Sequence, residues 1–221
     1  TLQAGLIPAV NMDTGFVDTL SRSQRAHVLA QTKTMVGSAP WVAGAFVDTT
    51  PQASFDRRAY REALDAICEH EAIPVVFQSY GLTAGSDQEV LKRYEDLAEI
   101  CDRFIAFESG SMFASFGKIY SEDLFEAIIQ LPQCSGLKHS SLDRQKEWRR
   151  LEIRNRVRPE FKLYTGNDLA IDMVMYGSDY LLGLSTMHPA AFAQRDAYWR
   201  AADPRFFALN DALQSLGWFT F

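Results

Sequence analysis

The sequence specifies an α/β fold, a (β/α) barrel, on three observations. Short apolar runs rich in β-branched and aromatic residues alternate with longer stretches of helical periodicity, as βα units around a parallel sheet require. Seven such runs occur, at residues 5–10, 41–47, 74–79, 104–108, 136–139, 161–165 and 180–185. They recur every ~20–35 residues without a long linker, more units than most doubly wound sheets use and one short of an eightfold TIM barrel. The expectation is a single (β/α) barrel domain over 1–221, a TIM (β/α)8 barrel whose first strand and C-terminal helices fall outside the chain. Residues 189–221 then form the last barrel helix and the start of a C-terminal helical extension. An open sheet is the structural alternative.

The helices announce their starts. Ser21-x-x-Gln24 and Ser86-x-x-Glu89 have capping-box spacing, in which each side chain satisfies an orphan backbone donor. After Ser86, residues Val90, Leu91, Tyr94, Leu97, Ala98 and Cys101 share one helical face, which reads as the face packed on the sheet. Helices also fit 56–69, 122–131, 142–156 and 169–176, and an aromatic-rich helical tail with Trp199, Phe206, Phe207, Trp218, Phe219 and Phe221 follows Pro189.

Composition bounds the function. The 221 residues, 47% hydrophobic and 23% charged, are ordinary for a globular domain and enough to bury a core without a disulfide or structural metal. A net charge of −6 repels a phosphate backbone, so nucleic acid is not an expected partner. The basic run from Arg144 to Arg158 carries Glu147, Trp148, Leu151 and Glu152 at helical spacing and reads as a solvated helix face. No apolar run approaches the ~18–20 residues that cross a bilayer. Cys68, Cys101 and Cys134 form no CxxC pair, which points to buried packing residues in a reduced, cytoplasmic protein.

In a barrel the chemistry gathers at the carboxyl ends of the strands and the loops that follow. Polar residues there include Asn11, Asp13 and Thr14; Tyr80; Glu108; Lys138; Asn167 and Asp168; and Ser185. Lys138 stands apart, because Gly136-Leu137-Lys138-His139 reads as a strand with a lysine at its carboxyl end. A buried ammonium must find a partner or lose its proton, and a deprotonated lysine attacks carbonyls to form an imine that withdraws electrons from the neighbouring carbon. The alternative from position alone is a lysine that pairs with a carboxylate or reaches solvent.

Gly136-Leu137-Lys138-His139-Ser140-Ser141 resembles the sixth-strand motif of the dihydrodipicolinate synthase and N-acetylneuraminate lyase family. Tyr164-Thr165-Gly166-Asn167-Asp168 is similar to that family's seventh-strand Ser-Gly-Asp-Asp pattern, and Tyr176 to Ser185 to its turn into strand eight. Met12-Asp13-Thr14-Gly15 with Leu20-Ser21 and Arg25 resembles its Gly-Thr-Thr-Gly-Glu loop and following helix start. The resemblance implies a Schiff-base aldolase or dehydratase in which Lys138 is the nucleophile and no cofactor is needed. It implies that Asn11, Asp13, Thr14, Gly15, Phe107, Gly166, Asn167, Asp168 and Ser185 bind substrate, a small carbonyl compound, in a homo-oligomer, a dimer or tetramer.

Two departures bear on the substrate. Asp13 stands where the family has the first threonine of a pair that holds the substrate carboxylate, and Phe107 stands where it has a proton-relaying tyrosine. Tyr80 or Glu108 is then expected to move protons, and a lysine-precursor synthase is disfavoured. A metal-dependent barrel using Asp13, Glu108, His139, Asp168 and His188, and a barrel that binds a metabolite without catalysis, are the competing readings. The apolar stretch Met112-Phe113-Ala114-Ser115-Phe116-Gly117 is expected to line the pocket or a subunit contact.

Overall fold

A computed structural model describes residues 1–220, so the terminal Phe221 of the aromatic tail lies outside the described residues. Among these, seven parallel strands form one sheet in sequential order. They are β1 (Ala9–Val10), β2 (Val42–Ala45), β3 (Ile73–Val76), β4 (Phe104–Ser109), β5 (Cys134–Ser140), β6 (Lys162–Thr165) and β7 (Asp179–Tyr180). The helices are α1 (Arg22–Val36), α2 (Arg57–Cys68), α3 (Tyr80–Thr83), α4 (Asp87–Ala98), α5 (Glu122–Ile129), α6 (Arg144–Val157), α7 (Pro189–Arg200) and α8 (Arg205–Thr220). The sheet curls into a half-barrel: its two edge strands, β1 and β7, line one cavity of about 530 Å³ between them.

All seven expected strands are present, with different lengths at the ends. The run at 5–10 yields two paired residues, Ala9 and Val10, and the run at 180–185 only one, Tyr180, with Asp179 before it completing β7, because Gly5 takes a left-handed φ of 77° at the end of a 3-10 turn and Ser185 lies in another, Leu184–Thr186. The expected helix at 169–176 is a 3-10 helix, Ile171–Tyr176. Both capping boxes form: Ser21 Oγ accepts from the Gln24 N–H while Gln24 Oε1 accepts from the Ser21 N–H, and Ser86 and Glu89 do the same.

Strand alternation creates two cores. Val42, Val75, Phe77, Ile105 and Phe107 point to the barrel axis with Met12 and Val17, while Ala43, Ala45, Val76, Phe104, Ala106, Leu137 and Leu163 face the helices. Against this outer face α4 packs Val90, Tyr94 and Leu97, as its periodicity requires. Cys101 and Cys134 are buried in it, and burial pushes both thiols up to about 12. Cys68 departs from expectation: it ends α2 on the exposed side. The basic run also departs: Arg150 and Arg154 turn inward to partners on the sheet side, Arg158 donates to the carbonyls of Ile129, Leu131 and Cys134, and Arg144, Lys146, Arg149 and Arg156 form the solvated face.

Close packing near the axis fixes Gly44 of β2. A methyl group there would lie 2.0 Å from the Asn11 carbonyl oxygen and 2.7 Å from the Phe77 ring. Gly44→Ala is expected to cost about 1–3 kcal/mol in a urea titration, the usual range for overpacking, whereas Gly15→Ala, with open space around it, should change stability by less than about 0.5 kcal/mol.

Candidate active site

Lys138 lies near the carboxyl end of β5, on the axis side, with 2% of its surface exposed. It pairs in register with Phe107 of β4, so both side chains point the same way. Its Nζ donates to both carboxylate oxygens of Asp13, at 2.7 and 2.9 Å, and stands 4.4 Å from the centre of the Phe107 ring. An opposite charge and an aromatic face are the partners a buried ammonium needs. Asp13 comes from the 3-10 turn Asp13–Gly15 that follows β1, and its side chain is 35% exposed, so the pair is reached from solvent at Asp13.

Gly166, just past β6, makes room for the lysine. A Cβ there would lie 2.1 Å from Ser140 Oγ and 2.7 Å from Lys138 Cε. Two positions along β5 from Lys138, Ser140 faces the same side, and its buried hydroxyl has no hydrogen-bond partner among the described residues; neither has Asn11 Oδ1. Asn11 adopts a left-handed φ of 51°, a conformation asparagine tolerates, and donates to the Arg25 carbonyl at 3.1 Å. Asp168 is near enough to feel both Lys138 and Asp13; burial raises its carboxyl above the ordinary range, and its Oδ1 accepts from the Leu184 N–H at 3.3 Å.

The other expected residues are distributed around this pair. Thr14 and Gly15 are exposed on the Asp13 turn, with Thr14 packed against Gly183. Asn167 is buried and accepts from the Leu169 N–H, which shapes the loop after β6. Ser185 is half-buried, donates to the Leu182 carbonyl and, with Thr14, lines the cavity between β1 and β7. Tyr80 opens α3 in the loop after β3; its hydroxyl donates to Ser115 at 2.6 Å and its ring meets Phe116 edge-on, so its partners lie in the loop after β4.

Glu108 does not join this group. The register that turns Phe107 and Lys138 to the axis turns Glu108 and His139 to the helices. There the Glu108 carboxylate is fully buried and receives His139 Nδ1 at 2.6 Å, Arg150 at 2.8 and 3.1 Å, and the Tyr120 N–H at 2.9 Å. Burial opposes its charge, but His139 and Arg150 together outweigh burial and hold the carboxyl at about 2. The residues of the metal-dependent reading are likewise apart. Glu108 and His139 face the helices, Asp13 and Asp168 lie with Lys138, and His188 caps α7. Among the described residues no three His, Cys, Asp or Glu side chains converge on one point.

With this geometry established, comparison with solved structures identifies the architecture as that of dihydrodipicolinate synthases. YagE, a prophage protein belonging to the dihydrodipicolinic acid synthase family from E. coli K12 and solved in complex with pyruvate, matches with a TM-score of 0.83 at 14% identity. The match covers 97% of this chain and 71% of that one. The dihydrodipicolinate synthase from Thermotoga maritima matches at 0.83 and 16% identity over 98% of this chain and 72% of that one. A monomeric dihydrodipicolinate synthase variant gives 0.83 and 16% over 98% and 71%. No family model matches the chain, and no curated protein does. No helix among the described residues is long and apolar enough to cross a membrane.

Glu108→Gln should remove a charge that Arg150 needs, at a cost of about 3–5 kcal/mol, the range for breaking a buried pair. Because the folded carboxyl titrates at about 2 rather than its ordinary 4.5, its stabilisation is present above pH 4.5 and lost as pH falls towards 2. Urea midpoints measured across that window should therefore fall less steeply in Glu108→Gln than in the wild type.

Proposed function

We propose that the chain is a Schiff-base-forming lyase, a divergent member of the dihydrodipicolinate synthase family. It acts as an aldolase or dehydratase on a 2-oxo acid or sugar-acid-like carbonyl compound rather than as a lysine-precursor synthase. The observation that carries this reading is the buried Lys138, near the carboxyl end of a barrel strand and held between Asp13 and Phe107.

A paired ammonium is not a nucleophile, so the Asp13 carboxylate first takes a proton from Nζ. The amine then attacks the substrate carbonyl, water leaves, and the protonated imine draws electrons from the adjacent carbon as a carbon–carbon or carbon–oxygen bond breaks. Ser140 Oγ and Asn11 Oδ1, both buried and unpartnered, are the groups left to meet substrate polar atoms. Until it takes that proton Asp13 repels an incoming carboxylate, which favours seating the substrate's acid group on the Ser140 and Gly166 side. Phe107 has no proton to give, and Tyr80, released from Ser115, serves the leaving hydroxyl. Hydrolysis of the imine returns Lys138. The enzyme is proposed to work in the cytoplasm as a homo-oligomer, a dimer or tetramer, with Met112 to Phe116 at or near the subunit contact; Met112 is 63% exposed.

A barrel that binds a metabolite without catalysis is the second reading, favoured by the same Asp13 pair, which occupies the amine. Borohydride reduction separates the two. Incubation with pyruvate and a panel of 2-oxo sugar acids, followed by borohydride and mass analysis of peptides, should give an adduct confined to Lys138 and absent from Lys138→Ala. No adduct with any carbonyl compound on folded protein overturns the lyase. Once a substrate is known, Tyr80→Phe should lower turnover by about 10²–10⁴-fold while leaving adduct formation at Lys138 intact, the split expected of a proton donor.

A further inference from the structure

On the helix-facing side of the sheet, three residues stand in a hydrogen-bonded line that the lysine chemistry does not use. Strand geometry lays them out. Glu108 of β4 pairs in register with His139 of β5, so both project to the same side, and Ser141, just past the end of β5, meets the imidazole there. His139 Nδ1 is 2.6 Å from Glu108 Oε1, and its Nε2 is 2.9 Å from Ser141 Oγ. An ionised carboxylate only accepts, so Nδ1 carries a proton, and it is the tautomer protonated at Nδ1 alone that offers Nε2 as an acceptor to Ser141. The Asp143 N–H donates to Ser141 Oγ at 3.1 Å, which leaves the hydroxyl proton for Nε2, nearer than the Asp143 carbonyl at 3.4 Å.

We propose that Ser141 is the nucleophile of a second site, a serine–histidine–glutamate arrangement for acyl transfer that takes a carboxylic ester. Ser141 lines a cavity of about 780 Å³ with Gly110, Met112, Gly117, Arg144 and Lys146, while His139 and Glu108 lie buried behind it. Arg144 is held by both carboxylate oxygens of Asp172 and Lys146 stands 3.9 Å from Asp143, so the charges around the lining are balanced and an uncharged acyl group fits it. Ser141 and His139 are the catalytic residues. Glu108 is a positioning residue that fixes the imidazole tautomer, and Arg150 and the Tyr120 N–H hold that carboxylate in place.

In the reaction Ser141 Oγ bonds to the acyl carbon as its proton passes to Nε2. The carbon–oxygen bond to the alcohol breaks, and the departing alkoxide takes that proton. Water then repeats the attack through the same nitrogen, freeing Ser141 and a carboxylic acid, so ester and water give acid and alcohol. The lysine is not involved.

The test is phosphonylation of the full-length protein by an alkyl fluorophosphonate, in which the serine oxygen bonds to phosphorus as fluoride leaves. Peptide mass analysis should find the label on Ser141 of the wild type, none in Ser141→Ala, and the same labelling rate in Lys138→Ala. His139→Gln should slow labelling by about 100-fold or more, the loss expected when a general base is removed. The proposal is overturned if folded wild-type protein is not labelled at Ser141. It is also overturned if folded His139→Gln labels at the wild-type rate, or if folded Lys138→Ala loses the label. The wild-type arm decides even if His139→Gln does not fold.

Discussion

The pairing of β4 with β5 is the constraint on which both ends of this chemistry depend. One register, Phe107 beside Lys138 and Glu108 beside His139, assigns four neighbouring residues to two environments. A shift of one position would bury the lysine against the helices and expose a glutamate to the apolar axis. The Glu108 network resists that shift from one side, because Arg150 of α6 and the Tyr120 N–H before α5 both reach the same carboxylate. The Asp13 pair resists it from the other.

The two environments also explain why one lysine and one glutamate, both at the ends of strands, behave differently. On the axis side the charges are few: an ammonium, the carboxylate that faces it, and Asp168, whose burial favours its neutral form. On the helix side the carboxylate is surrounded by donors and stays ionised. Each arrangement follows from what surrounds the alternating strand positions: apolar side chains and small residues at the axis around Lys138, and on the helix side an apolar layer through which Arg150 of α6 reaches Glu108.

Much of the fold was legible because it is written in composition. The apolar β-rich runs and the capping boxes at Ser21 and Ser86 are local signals, and they mark the strands and two helices where they are found. Lys138 was legible for the same reason, since a glycine and a leucine before it make a strand whose next residue is conspicuous. Glu108 was not, because its direction depends on where β4 stops. The strand continues through Ser109, so Glu108 remains in the alternation instead of opening a loop. The strand placement of Ser185 and the solvated placement of Arg150 were misjudged on similar grounds. A 3-10 turn after Gly183 and an arginine drawn inward by a distant carboxylate leave no mark in a local window. Ser140 carried a signal that went unused, its spacing of two from Lys138.

The Lys138 pair spans 125 residues of sequence, whereas Glu108 and His139 are 31 apart. Two doublings of loop length separate these contacts, so closing the longer one costs about 1.2 kcal/mol more in chain entropy. Neighbouring strands can meet two at a time, but Asp13 reaches Lys138 only after the intervening strands have curled into a common surface. The ammonium and its counter-charge thus come together as a property of the whole sheet, and a chain that has assembled only part of the barrel keeps its lysine in water, unpaired and chemically ordinary.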